Sequence, residues 1–117
     1  MSKIIVKSIL LVIFLLIFSQ NPHTGFAYNK SEYTRLLMTR ICRRCDLYHA
    51  GFSGQDLSNV DLTGSNLILA KFQKATLYNA ILTDANISGA NFSGAIWTDG
   101  SVCKAGSVGR CIKKEKK

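Results

Sequence analysis

The hydrophobic pattern of the chain changes twice, and each change marks a different element. Residues 9–18 form an unbroken apolar run that begins close to Lys3 and Lys7. Apolar residues then recur at helical spacing within 29–41 and, from Cys45 onward, at every third position of a five-residue unit. A period of five fits neither the 3.6-residue helix nor the two-residue alternation of a strand, so the chain must turn once in each unit.

Eleven such units follow one another from Cys45 to Asp99 without an insertion. The third residue of each unit is large and apolar: Leu47, Phe52, Leu57, Leu62, Leu67, Phe72, Leu77, Leu82, Ile87, Phe92 and Trp97. The first residue is usually small and the second is often Asp or Asn. A coil explains this pattern if the large side chain fills the axis, the small one leaves room for it, and the polar residues complete the turns.

The phenylalanines indicate the number of sides. Phe52, Phe72 and Phe92 lie twenty residues apart, which is four units. This spacing predicts a four-sided coil with the three rings stacked in one column. Neighbouring coils would pair through the backbone at about 4.8 Å, and eleven units would make about 2.75 coils.

The units resemble those of the pentapeptide-repeat family, whose pattern is Ala-(Asp/Asn)-Leu-x-x. Residues 85–94 read ANISG-ANFSG and match that pattern most closely. The resemblance covers residues 45–99 and implies an all-β fold, a right-handed quadrilateral parallel β-helix. Gln55 and Val60 depart from the small first position, and Ile81 and Ile96 depart from the polar second position.

Both ends of such a solenoid need a cap. We expect residues 28–44 to form an N-terminal helical cap, because Asn29 and Glu32 resemble a capping box. Its apolar residues fall at helical spacing: Tyr33, Leu36, Leu37 and Ile41. A less favoured alternative is a membrane-surface helix that uses the arginines at 35, 40, 43 and 44. Trp97 would close the last coil, and residues 100–117 would form an irregular, disulfide-closed cap with a basic tail.

The N-terminal 27 residues have the pattern of a secretory signal peptide. The apolar run of ten residues is too short to span a bilayer, and Gly25 and Ala27 place small residues before a cut after Ala27. We therefore expect export to the bacterial periplasm or secretion. The alternative is an uncleaved anchor, which would be the chain's only link to a membrane.

Four cysteines allow three pairings. Cys42 and Cys45 lie at the start of the repeats, whereas Cys103 and Cys111 lie beyond their end. Because disulfide Cα atoms must come within about 7 Å, the sequence predicts the pairs Cys42–Cys45 and Cys103–Cys111. A thiol-disulfide redox role for Cys42 and Cys45 stays open, although the βαβ scaffold of such proteins is missing. The separation of the two cysteine pairs disfavours a zinc site.

Composition further narrows the range of possible functions. The net charge of +8 excludes a strongly acidic, DNA-mimicking surface, so we regard a nucleic-acid-related role as unlikely. Cleavage would leave 90 residues with a net charge of +6, and the basic residues concentrate at the two ends. His49 is the one histidine after the signal segment, and no phosphate loop or nucleophile motif is present. We expect no enzyme activity, no cofactor and no metal.

The leading hypothesis is a structural or protein-binding module of the cell envelope. Tyr48, Ile68 and Leu69 share one predicted face and are unusually apolar for outward positions, so we single them out as a candidate contact patch. Its partner would be an unknown protein, or a second copy of the chain through self-association. An alternative is binding of an anionic polymer by the basic tail, whose lysines are Lys113, Lys114, Lys116 and Lys117.

Overall fold

A computed structural model describes residues 28–115, so the predicted signal segment lies outside the described residues. One helix, α1 (Lys30–Thr39), precedes the repeats. The side-chain oxygen of Asn29 caps α1 by accepting hydrogen bonds from the backbone N–H groups of Ser31 and Glu32. The helix ends at Thr39, and the C-cap residue Arg40, with a φ of 64°, turns the chain into the first coil.

The repeats wind into a four-sided coil that needs twenty residues for each turn. Residues twenty apart form isolated parallel β-bridges, and the described residues contain no longer strand. The bridged pairs are Ile41–Asp61, Asp46–Asn66, Gly51–Lys71, Asp56–Thr76, Asp61–Ile81, Asn66–Asn86, Lys71–Asn91 and Thr76–Ile96. Because Ile41 already takes part, the coil begins with residues 40–44, one unit before the pattern that starts at Cys45.

The corners explain why the repeat is five residues long. In most units the backbone N–H of the first residue donates to the C=O three residues earlier, as Ala50 does to Leu47 at 3.0 Å. The fifth residue of every unit from Arg44 to Gly94 lies in the left-handed region, with φ between 54° and 72°. Glycine, asparagine and aspartate adopt this conformation most readily, and they are frequent at the position.

Aspartate or asparagine at the second position supports the same corner. Its side-chain Oδ1 accepts the N–H of the residue two further on, for example Asp56 from Ser58 at 2.9 Å and Asn91 from Ser93 at 3.0 Å. The recurring acidic residues are therefore turn-forming groups, as the sequence predicts.

The axis is filled by the third-position side chains. Phe52, Phe72 and Phe92 are fully buried and stack with ring centroids 5.0 Å apart. Tyr33 of α1 extends the column below, at 5.1 Å from Phe52, and Trp97 meets Phe92 edge-on at 4.9 Å. The column thus runs from one cap to the other.

Helix α1 supplies hydrogen-bond partners to the exposed backbone edge of the first coil. The Glu32 carboxylate accepts from the Asp46 N–H at 2.6 Å, and the Asn29 N–H donates to the Asp46 C=O at 3.0 Å. The Tyr33 hydroxyl donates to the C=O of Gly51 at 2.9 Å. These bonds take the place of a preceding coil, so a free sheet edge is avoided.

Two expectations about the helical cap were wrong. Glu32 bonds to Asp46 and does not close a capping box with Asn29, whose N–H is already bound to the Asp46 C=O. Leu37 and Ile41 do not face the coil, since they are 40% and 56% exposed. The reason is that the helix stops at Thr39 and the chain reverses at Arg40, which leaves Ile41 in an outward position on the first face.

The C-terminal segment folds back over the last coil. Val102 and Val108 form antiparallel bridges with Ile96 and Asn91, and Cys103 is bridged to Lys113. Val102 and Val108 therefore place this segment along two of the four sides of the final coil.

We predict that Phe72→Ala destabilises the protein by about 3–5 kcal/mol, because it leaves a cavity in the centre of the column. Chemical unfolding followed by circular dichroism measures this loss. Lys71→Ala is the matched control: its side chain is exposed, and we expect a change within about 0.5 kcal/mol. Equal effects of the two substitutions would contradict the role of the column.

Candidate functional site

The predicted contact patch lies on one face of the coil. The backbone N–H of His49 donates to the C=O of Ile68 at 2.9 Å, which places Tyr48 one coil below Ile68 and Leu69. Tyr48 and Ile68 are half-buried, and Leu69 is 40% exposed. The fold thus brings the three residues onto one face, while their role in contact stays a prediction.

Leu69 also packs against the coil itself. A Cβ added to Gly89, one coil above, would lie 2.7 Å from Leu69 Cδ2, so this side chain lies across the glycine backbone. Arg44 covers Gly64 and Lys74 covers Gly94 in the same manner. Part of the apolar surface at Leu69 therefore serves the coil itself, and the surface open to a partner is smaller than the sequence suggests.

The disulfide Cys42–Cys45 sits inside the first coil. Cys42 occupies a third position and Cys45 the following first position, both pointing inward, with Cα atoms 5.6 Å apart. Residues separated by three across a turn lie within disulfide reach. Ser65 supports this turn from the coil above: its hydroxyl donates to the Cys42 C=O and accepts the Cys45 N–H.

An arginine lies against this disulfide. Arg35 Nη2 is 2.9 Å from Cys45 Sγ and 3.6 Å from Cys42 Sγ. A guanidinium there would favour a thiolate if the bond were reduced. However, the exposed fractions of Cys42 and Cys45 are 0% and 1%, which leaves no surface for a substrate thiol. The geometry therefore favours a structural disulfide over a redox centre.

The second disulfide joins Cys103 to Cys111, whose Cα atoms are 5.1 Å apart. It closes the C-terminal cap together with buried Ser107, which donates to the Lys104 C=O and accepts the Ile112 N–H. All four cysteines of the chain are thus paired, two at each end of the coil.

Three aspartates have a lowered pKa. For Asp56, hydrogen bonds from Ser58 lower the pKa. Hydrogen bonds from the Thr63 hydroxyl and the Arg43 guanidinium lower the pKa of Asp61 to about 2. A hydrogen bond from the Lys113 ammonium, supported by Ser101, lowers the pKa of Asp99 well below its ordinary range. Both pairs link neighbouring segments, Arg43 to the second coil and Lys113 to the end of the last one.

Potential metal-ligating side chains are scattered over residues 28–115. No group of three or more His, Cys, Asp or Glu side chains in this part of the chain could hold a metal ion. His49 is exposed and lies on the outer surface beside Tyr48. Among the same residues, no helix is long and apolar enough to cross a membrane.

An exposed apolar corner escaped the sequence reasoning. Leu37, Met38 and Ile41 are 40%, 79% and 56% exposed, although two of them were expected to cover the coil. The register could have shown the position of Ile41, because residues 40–44 continue the five-residue period backward from Cys45. That unit is hard to recognise because Cys42 occupies the third position, where a bulky residue is expected.

A comparison with known protein families agrees with this architecture. A family model described as Pentapeptide repeats matches residues 45–84 and 61–96, with eight copies. Residues 45–96 of the chain are pentapeptide repeats. The family implies a right-handed β-helix, which fits the observed parallel pairing at twenty-residue intervals.

Two solved structures are similar to parts of this pentapeptide-repeat protein. HetL, described as involved in heterocyst differentiation regulation in the cyanobacterium Nostoc sp. strain PCC 7120, is 31% identical over 53% of this chain and 34% of its own, with a TM-score of 0.33. Rfr23 from the cyanobacterium Cyanothece 51142 is 21% identical over 56% of this chain and 82% of its own, with a TM-score of 0.23. The match thus spans about a third of HetL. No curated protein sequence matches the chain.

We predict that acid weakens the link between the first two coils. Because the folded pKa of Asp61 is about 2 against an ordinary 3.8, its charge stabilises the fold above about pH 4. That contribution is lost as the pH falls toward 2. Chemical unfolding at several pH values should show a weaker pH dependence for Asp61→Asn than for the wild type. Asp84→Asn, a control at an exposed aspartate, should leave the dependence unchanged; identical profiles for all three proteins would refute the prediction.

Proposed function

We propose that the chain is an exported, non-enzymatic pentapeptide-repeat protein that acts as a structural or protein-binding module of the cell envelope. The observation that carries this proposal is the pairing of all four cysteines in two disulfides, one at each end of the coil. Disulfides persist in oxidising compartments and are rare in the cytosol. The signal-like pattern of residues 1–27 supports the same compartment.

The organisation of the chain supports a module that presents surfaces. We propose a signal peptide at 1–27, an N-terminal cap at 28–44 whose last five residues already belong to the coil, the repeat body at 45–99 and a C-terminal cap with a basic tail at 100–117. The stacked column and the backbone pairing hold outward side chains of successive coils in register. A rigid face of this kind suits binding to another protein, because little conformational freedom is lost on association.

The contact patch of Tyr48, Ile68 and Leu69 is the surface that we propose for such binding. It lies on one face, and a second copy of the chain is the simplest partner. The alternatives have less support: burial of Cys42 and Cys45 disfavours a redox role, and part of the basic cap is already engaged, since Lys113 pairs with Asp99.

Export can be tested directly with the full chain. Expressed in a bacterium, the protein should appear in the periplasmic or secreted fraction. Intact mass should show loss of residues 1–27 and of four hydrogens for two disulfides. Replacement of Gly25 and Ala27 by leucine should block cleavage, since signal peptidases require small residues there. Recovery of uncleaved wild-type protein in the cytosol with free thiols would disprove export.

The patch predicts self-association. We expect light scattering to show a dimer or larger species for the wild type and a lower mass for the double variant Ile68→Ser, Leu69→Ser. Ile81→Ser is the matched control, since Ile81 is 47% exposed on a different face. If the wild type and the double variant have the same mass, the patch does not mediate self-association.

A further inference from the structure

The apolar corner formed by Leu37, Met38 and Ile41 is the most exposed group of large apolar side chains near one point of the described chain. Met38 is 79% exposed, more than any other large apolar residue among those described. Leu37 and Met38 come from the last turn of α1, and Ile41 follows directly on the first face of the coil. These residues make no contribution to the buried column, so packing within the described chain does not explain them.

Four arginines surround this corner within ten residues of sequence. Arg35, Arg40, Arg43 and Arg44 are all exposed. Arg35 lies against the Cys42–Cys45 disulfide, and Arg40 donates to the C=O of Asp56 at 2.6 Å. Arg44 keeps its guanidinium open to solvent. Three carboxylates lie near this end: Asp61 is paired with Arg43, Glu32 accepts the backbone N–H of Asp46, and Asp56 interacts with the charge of Arg40. The corner therefore combines apolar side chains with a cationic rim.

The chain enters the fold at this same end. Tyr28, the first described residue, contacts Tyr33 of α1 with ring centroids 5.0 Å apart. The 27 residues before it contain the apolar run at 9–18. If that segment directs the chain through a membrane, the end that carries the apolar corner is the one that stays attached to it until cleavage.

We propose that this end of the protein docks on an anionic lipid surface. Leu37, Met38 and Ile41 enter the boundary between headgroups and acyl chains, and Arg44 binds lipid phosphate, helped by the positive charge of the other arginines. The arginines beside these apolar side chains match the charge of anionic headgroups, and a lipid surface needs no complementary shape. The inference names a lipid partner for the proposed envelope protein and depends on that function only for the choice of membrane.

The local contact can be measured with tryptophan fluorescence. Trp97 is the one tryptophan of the chain and lies at the opposite end. The double variant Met38→Trp, Trp97→Phe moves the fluorophore into the corner. With vesicles of phosphatidylglycerol, its emission should shift to shorter wavelength and be quenched by brominated acyl chains. The wild-type indole should show neither change. This comparison measures separately how deeply each end of the protein enters the bilayer, so it is informative even if residues 1–27 are retained.

Two further substitutions measure affinity. Met38→Gln should weaken partitioning into the anionic vesicles about tenfold, since it removes most of an apolar side chain from the lipid boundary. Val108→Gln is its control, because Val108 is 51% exposed at the far cap. Arg44→Gln should weaken binding about fivefold and reduce its salt dependence, whereas Arg110→Gln at the far cap should have little effect.

Several outcomes would overturn the proposal. These are an unchanged emission at position 38, equal quenching at both ends, or equal binding to vesicles of neutral phosphatidylcholine. A partner protein that protects position 38 while vesicles do not would assign the corner to a protein interface instead. Failure of export would leave the vesicle result intact, so the two proposals fail separately.

Discussion

The fold depends on one constraint: every five-residue unit must send a bulky side chain to a common axis while its backbone bonds to the coils above and below. The stacked rings of Phe52, Phe72 and Phe92 illustrate this constraint most clearly, since their 5.0 Å spacing matches the distance between paired coils. The first position of a unit is usually small, so a larger residue there must fit within the same cross-section of the coil. Val60 does so and is fully buried. The corners, the polar second positions and the two caps all serve this arrangement.

Much of this architecture could be predicted because the constraint acts at a fixed spacing. The bulky third residue, the small first residue and the twenty-residue recurrence of phenylalanine predict the four-sided parallel pairing that the bridges show. The unit at 40–44 was harder to detect. Cys42, which forms the inward disulfide with Cys45, stands where a leucine is expected, and Ile41 stands where a polar residue is expected.

The surface is less predictable, because exposure depends on where one element ends and the next begins. Helical spacing groups Leu37 and Ile41 with Leu36, yet only Leu36 is buried. The left-handed residue Arg40 ends the helix and redirects the chain, and no periodicity reveals that reversal. The contact patch has a related difficulty. Sequence register places Tyr48 beside Ile68, but it does not show that Leu69 lies across the backbone of Gly89.

The twenty-residue turn also fixes the orientation of one cap relative to the other. Because one unit advances the chain by a single side, gain or loss of one unit would rotate the C-terminal cap by a quarter turn about the axis relative to α1. Only a change of four units would restore its orientation, with one coil added or removed. Where the two ends of such a molecule must act on the same side, its length can therefore change in evolution only in steps of a whole coil.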